Sequence, residues 1–278
     1  MIEKNKEMFR KLQLIQFDIL KHVDKVAKEH NIQYFLGFGT LLEAIRHNGF
    51  IPWDVDIDLT LMREDYDKLV AILKAQNDTS DYYISVAGDK HHISPHALIY
   101  CKNTVLRREF ASLNKKSKRP KEVYIDIFPI DKLPMDEKQR KAQIKRIVKL
   151  RERVYLKTPF YFRANKLYRF LKKLRTFLYV FESNEKLQRK IDKEMRKYNN
   201  TDSNEYGQFA SSHLRFFVLN KEDYFPAKEK KFENFVAPIP NNYDKFLKIV
   251  YKDYIKMPSK EKIEQYFDKD IMVIDNRK

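Results

Sequence analysis

Between Pro52 and Thr60 the chain reads Trp53-Asp54-Val55-Asp56-Ile57-Asp58-Leu59, with acid and apolar residues in strict alternation. A two-residue period is the pattern of a half-buried strand: Val55, Ile57 and Leu59 on one face, Asp54, Asp56 and Asp58 on the other. Same-face neighbours on a strand stand roughly 6.5–7 Å apart, so three carboxylates in a row repel unless protons or a cation sit among them. Asp is also a poor strand former. An acidic, solvent-facing strand is the plain alternative. A divalent-metal strand accounts better for the pattern, and hard carboxylate oxygens favour Mg²⁺ or Mn²⁺ over zinc.

The flanking sequence supplies companions. Residues 33–38 predict a short buried strand ending at Gly39-Thr40, followed by a short helix through Arg46 and a turn-rich loop, His47 to Pro52. Gly39 lets backbone approach a ligand closely, and the next helix start offers free N–H groups to a phosphate. A phosphate there would lie near a cation held by Asp56 and Asp58, the pairing phosphoryl transfer needs. Arg46 and His47, in a loop that must pack beside the acidic strand, reach either a phosphate or an acceptor, or serve structure alone. A second strand, Val123 to Pro129, carries Asp126 on its polar face. Asp126 either completes a metal cage and accepts a hydroxyl proton, or bonds to backbone at a strand end. Asp131 is expected in the following turn. The run His91-His92-Ile93-Ser94-Pro95-His96 matches no zinc spacing.

The remaining pattern divides the chain. Amphipathic helices are predicted over 6–29 and 63–76, and strands over 82–87, 96–101 and 122–128, with a basic loop at 114–121. Past Pro134 the period turns helical, over stretches near 144–154, 167–181, 184–198 and 241–256, with 200–240 irregular. The fold class is α/β: residues 1–134 form a core with a small mixed sheet and flanking helices. Residues 135–278 form a helical region completing the active site. Of the net charge of +17, 15 Lys and Arg against Glu152 put +14 between Lys138 and Arg175. A charge so local implies a local anionic partner, unless it is only a solvated face. Aromatics among these cations (Tyr155, Phe160, Tyr161, Phe162, Tyr168) favour an anionic membrane surface or lipid-linked substrate over nucleic acid, for which no motif appears. The start of the chain lacks the apolar core of a signal peptide, and a lone cysteine, Cys101, fits a reducing compartment. The expectation is a cytoplasmic protein, peripheral at the inner face of the membrane.

Residues 39–66, from Gly-Thr-Leu-Leu-Glu-Ala-Ile-Arg through Ile-Pro-Trp-Asp-Val-Asp-Ile-Asp-Leu to Met62-Arg63-Glu64-Asp65-Tyr66, resemble the signature of the LicD family. That family comprises bacterial phosphocholine transferases and fukutin-type ribitol-phosphate transferases. The resemblance continues at Tyr124 to Pro129 and from Phe232 to Pro258, while 138–200 matches no motif. It implies a nucleotidyltransferase-like fold, a CDP-activated donor and Mg²⁺ dependence. By position it assigns Asp56, Asp58 and Asp126 to the metal, with Gly39 and Thr40 at the donor diphosphate. Asp54 takes a supporting catalytic role, Arg46 faces the CMP leaving group, and Trp53 stands beside the site. Val55 departs from the family's Asp but points away from the metal face. Glu43 stands where the family usually has Gly: on an exposed helix turn it is tolerated, whereas close to the donor it alters alcohol selectivity. The activity implied is transfer of phosphocholine from CDP-choline to a sugar hydroxyl of a teichoic acid or other cell-surface glycan precursor. The alternatives are another CDP-alcohol (ribitol or glycerol phosphate) or a nucleotidyltransferase using NTP.

Overall fold

The computed structural model describes residues 2–108, 120–157, 182–210, 217–267 and 271–277. Residues 114–119 of the basic loop and the second basic helix, 167–181, lie outside the described residues.

The first helix, α1 (Ile2–Glu29), buries Phe9, Leu12, Ile15, Ile19, Val23 and Val26 on one stripe. It is followed by β1 (Phe35–Leu36), α2 (Phe38–His47), β2 (Asp58–Met62) and α3 (Arg63–Ala75). Strands β3 (Tyr82–Ser85), β4 (Ala97–Cys101), β5 (Thr104–Arg108) and β6 (Val123–Lys132) come next. The second half begins with α4 (Glu137–Lys157) and α5 (Asn184–Met195), then β7 (Glu205–Gly207), β8 (Leu219–Asn220) and α6 (Lys221–Tyr224). It ends with the hairpin β9 (Lys228–Phe232) and β10 (Phe235–Ile239), α7 (Tyr243–Tyr251), α8 (Lys260–Phe267) and β11 (Ile271–Asp275).

The described strands form a mixed sheet in the order β1-β2-β6-β4-β3, extended by β7 beside β6 and β8 beside β7. Strands β2 and β6 run parallel; the other pairs are antiparallel. Alternation does what the sequence promised: Ile57, Leu59 and Leu61, with Ile125 and Ile127, enter the core that α1 covers. That core also takes Phe217, Phe232, Phe246, Leu247 and Val273, so the chain on both sides of residue 134 shares it. A second cluster, around Leu133, Ile147, Leu187, Ile191 and Phe209, packs α4 against α5.

The α/β class and the helical character of 137–157 and 184–195 stand as read. Several local expectations do not. The strand begins at Asp58 rather than Asp54, because only from Asp58 onward does β6 offer a partner ladder. Gly39 and Thr40 lie in the first turn of α2, not at a strand end. Residues 200–240 are not irregular, since they hold the strands β7 to β10. These strands are short, and β9 carries Lys at exposed positions, which hides the period-2 signal.

Candidate active site

The site forms where β2 and β6 run side by side. Asp58 pairs with Asp126 in the parallel register, and residues in register on neighbouring strands point to the same face. Asp126 N–H also donates to the Ile57 carbonyl at 2.8 Å, fixing the register at its polar end. The Asp58 carboxyl is pushed well above the usual carboxylate range, first by burial, then by the charges of Asp126, Asp56 and Asp54.

The start of α2 is wedged against this pair. Gly37 N–H donates to the Asp58 carbonyl at 2.9 Å, and the Thr40 hydroxyl accepts from Asp58 N–H at 2.8 Å. Thr40 is fully buried by that contact. A side chain at Gly37 would collide with Thr60, 2.6 Å away, so only glycine permits this approach. Between them and Gly39, Phe38 takes a φ of +41°, a conformation costing a bulky residue about 1–2 kcal/mol. Its ring is held among Phe128, Phe217 and Phe246. Gly39 N–H bonds to the Asp58 carboxylate. A Cβ at Gly39 would sit 3.4 Å from Asp54 Oδ2, 3.8 Å from Asp58 Oδ2 and 3.9 Å from the Tyr251 hydroxyl. Gly39 thus keeps open a space between two carboxylates.

The acidic segment before β2 is not a strand, so something else must hold it. Two buried amides of α1 do so. Gln13 Nε2 donates to the carbonyls of Ile51 (3.0 Å) and Asp54 (2.8 Å), and Gln16 Nε2 to those of Val55 (2.9 Å) and Tyr124 (3.0 Å). Each carbonyl left unpaired by their loss would cost about 1–3 kcal/mol. The signal for Gln16 was legible: it falls four residues after Leu12 on an otherwise apolar stripe.

Of the two placements open to Glu43, the exposed turn is excluded. It is fully buried, and its Oε1 accepts from Ile51 N–H at 3.0 Å. Burial first, then Asp54, raises its carboxyl well above the usual range. From the far side, Glu233 in the β9–β10 turn accepts from Phe50 N–H (3.1 Å) and takes a two-pronged contact from Arg10. The same loop is therefore fastened from α1, α2 and the hairpin, which gives residues 232–258 a reason to share its signature.

Of the other sequence candidates, Asp54 caps its own turn, with Oδ1 accepting from Val55 N–H at 2.8 Å. Trp53 is half-buried and meets His47 edge-on at 6.1 Å. Arg46 spends Nη1 on the carbonyls of Tyr254 (3.0 Å) and Lys256 (3.4 Å), tying the segment after α7 to the site. Asp131 is not in a turn: it lies in β6, fully buried against Arg63. Sequence reasoning missed His96, whose Nε2 stands 2.7 Å from Asp126 Oδ1.

Among the described residues no three His, Cys, Asp or Glu side chains converge into a ready metal cage. The donor set still fits one ion. Mg²⁺ is commonly held by one or two carboxylates, with waters and substrate phosphates completing the shell. Asp58 and Asp126 in register, beside the space kept open at Gly39 and under the charges of Asp54 and Asp56, make such a half-site.

Residues 31–167 match the family model described as LicD/FKTN/FKRP, nucleotidyltransferase domain. The chain is 29% identical over 260 residues to the lipopolysaccharide cholinephosphotransferase LicD of Haemophilus influenzae, covering 91% of this chain and 93% of that one. An uncharacterised protein of Rickettsia prowazekii is 32% identical over 118 residues, which span 42% of this chain and 40% of that protein. Just under half of the chain thus matches the LicD family model, and nearly all of it is similar to one LicD cholinephosphotransferase.

Proposed function

We propose that this chain transfers phosphocholine from CDP-choline to a sugar hydroxyl of a cell-surface glycan precursor, such as a teichoic acid, with the help of Mg²⁺ or Mn²⁺. The observation that carries the reading is the in-register pair Asp58 and Asp126, in a chain similar over nearly its whole length to a cholinephosphotransferase. On this reading Asp58, Asp126 and Asp56 hold the ion. When bound, it neutralises charge on the donor diphosphate. An Asp126 oxygen takes the proton of the attacking sugar hydroxyl. The hydroxyl oxygen bonds to the choline-bearing phosphorus, the bond from that phosphorus to CMP breaks, and CMP leaves. Asp54 and Gly39 shape the donor pocket, and Arg46 adds positive charge at its edge. Trp53 and His47 offer aromatic faces of the kind that hold a quaternary ammonium.

Incubating the protein with CDP-choline, Mg²⁺ and a panel of glycan acceptors should release CMP and label the glycan. No release with any acceptor, alongside turnover of CDP-ribitol or CDP-glycerol, would reject choline. Pyrophosphate release from an NTP would move the chain to nucleotidyl transfer.

A peripheral membrane contact through residues 138–182 is the second part of the proposal. Lys138, Lys145 and Lys149 stand exposed on α4, and no described helix is long and apolar enough to cross a membrane. The protein should sediment with vesicles containing anionic lipid and stay in solution with neutral ones. Equal sedimentation with both would remove the electrostatic contact.

A further inference from the structure

The sequence run at 91–96 fits no zinc spacing, and the reaction above gives it no part. Its last member nevertheless lies against Asp126. The His96 ring is nearly buried, with Nε2 2.7 Å from Asp126 Oδ1 and Nδ1 3.3 Å from the Ala210 carbonyl. Phe128 packs on its face, with centroids 4.1 Å apart. The ring cannot turn without losing an oxygen on one side or the other. Its backbone is held as firmly. His92 Nε2 lies 2.9 Å from the His96 carbonyl, and His92 Nδ1 lies 3.0 Å from the Ser85 hydroxyl. Burial and the neighbouring His96 lower His92 to a pKa of about 4, so it is neutral. A neutral His92 donates from Nε2 and accepts from Ser85. Beyond Ala210, Arg151 of α4 donates to the preceding carbonyl, that of Phe209, at 3.1 Å. Asp126 is thus braced through one imidazole against a loop that α4 holds.

We propose that His96 is a positioning residue for Asp126: its Nε2–H fixes one carboxylate oxygen, and so sets the orientation in which Asp126 meets the cation and the acceptor hydroxyl. The contact to a carboxylate is the shorter of the two, and a charged acceptor takes the stronger hydrogen bond. The inference rests on the metal reading given above. Partners of this kind, one bond removed from a metal, change affinity by about 10–100-fold when lost.

Two substitutions separate the ring's two edges. In H96Q the side-chain amide reaches the place of Nε2 and keeps a donor for Asp126. In H96N the amide stops near the place of Nδ1, keeping Ala210 and losing Asp126. The readout is Mn²⁺ binding to the otherwise intact protein, followed by the electron spin resonance of free Mn²⁺, with thermal melts as the control for folding. The expected result is an affinity within about threefold of wild type for H96Q and roughly tenfold or more weaker for H96N. In turnover, kcat should fall with H96N and recover with H96Q, while KM for the donor moves little. Should H96N fail to fold, H96F keeps a ring against Phe128 without a donor to Asp126 and takes its place. Equal Mn²⁺ affinity in the two variants would overturn the positioning role alone. A wild-type protein that binds no Mn²⁺ would overturn the metal reading, and this inference with it.

Discussion

Replacing Asp58 by Asn should lower turnover on the order of 10³-fold while leaving the metal-free protein as stable as wild type or more so. The two effects have one cause. Asp58 sits in register with Asp126 and under the charges of Asp56 and Asp54, so its ionised form is disfavoured by burial and by all three neighbours. Asn keeps the shape and can still accept from Gly39 N–H, but contributes no charge to a cation. A wild-type protein saturated a hundredfold above its Kd for Mg²⁺ gains about 2.7 kcal/mol of stability, and D58N should gain little of it. The pH dependence follows with a definite sign. Because the folded-state pKa is raised, the contribution of Asp58 is fully present below the ordinary carboxylate value of about 3.9 and is lost as pH rises through the raised one. Carboxylates paired with cations, such as Glu233 and Asp223, work in the opposite sense, so the quantity to measure is the difference between wild type and D58N. Metal-free melting curves over that range should show wild type losing ground to D58N as pH rises. A constant difference, or full activity in D58N, would break the argument.

Why one strand was so legible and its surroundings were not has a physical reason. Alternation fixes which side chains share a face only where the backbone is extended, as it is from Asp58 onward. The strands carrying Asp58 and Asp126 were legible in this way, although Asp54 and Asp56 precede β2. What alternation cannot say is which strands become neighbours. The parallel pairing of β2 with β6, across the 60 residues between them, is decided by the whole core. His96 was opaque for the same reason: its partner is 30 residues away on another element, and its own neighbours in sequence suggested only a failed metal motif. The placement of Glu43 stayed open because a charged residue on a short helix is ordinarily exposed, and nothing local shows that the 48–54 loop folds over it. Gln13 and Gln16 could have been suspected, since amides on a buried stripe need partners, but the partners are loop carbonyls without a sequence signal.

The largest change in stability should come from Arg63 rather than from any residue of the site. Arg63 Nε and Nη2 grip both oxygens of Asp131 at 2.7 and 2.6 Å, and Asn199 adds a third donor at 2.7 Å. Asp131 has no exposure to solvent. Arg63 Nη1 reaches on to Asp192 of α5 at 3.0 Å, and Arg196 binds Asp67 and Asp192 beside it. The pair therefore ties β6 and α3 of the sheet to the helix that follows the basic segment. A buried pair of this kind adds little over a well-packed apolar substitute, but removing one partner alone strands a charge where water cannot reach it. R63M should accordingly cost about 3–5 kcal/mol in urea denaturation, a large share of the stability of an ordinary domain. D131L in the R63M background removes the stranded charge and should restore a substantial part of that loss. If R63M costs less than about 1 kcal/mol, or if the double variant is no better than the single one, then Asp131 finds its stabilisation elsewhere. In that case the link between the sheet and α5 rests on the Leu187, Ile191 and Met195 packing and on the Arg196 bridge between Asp67 and Asp192.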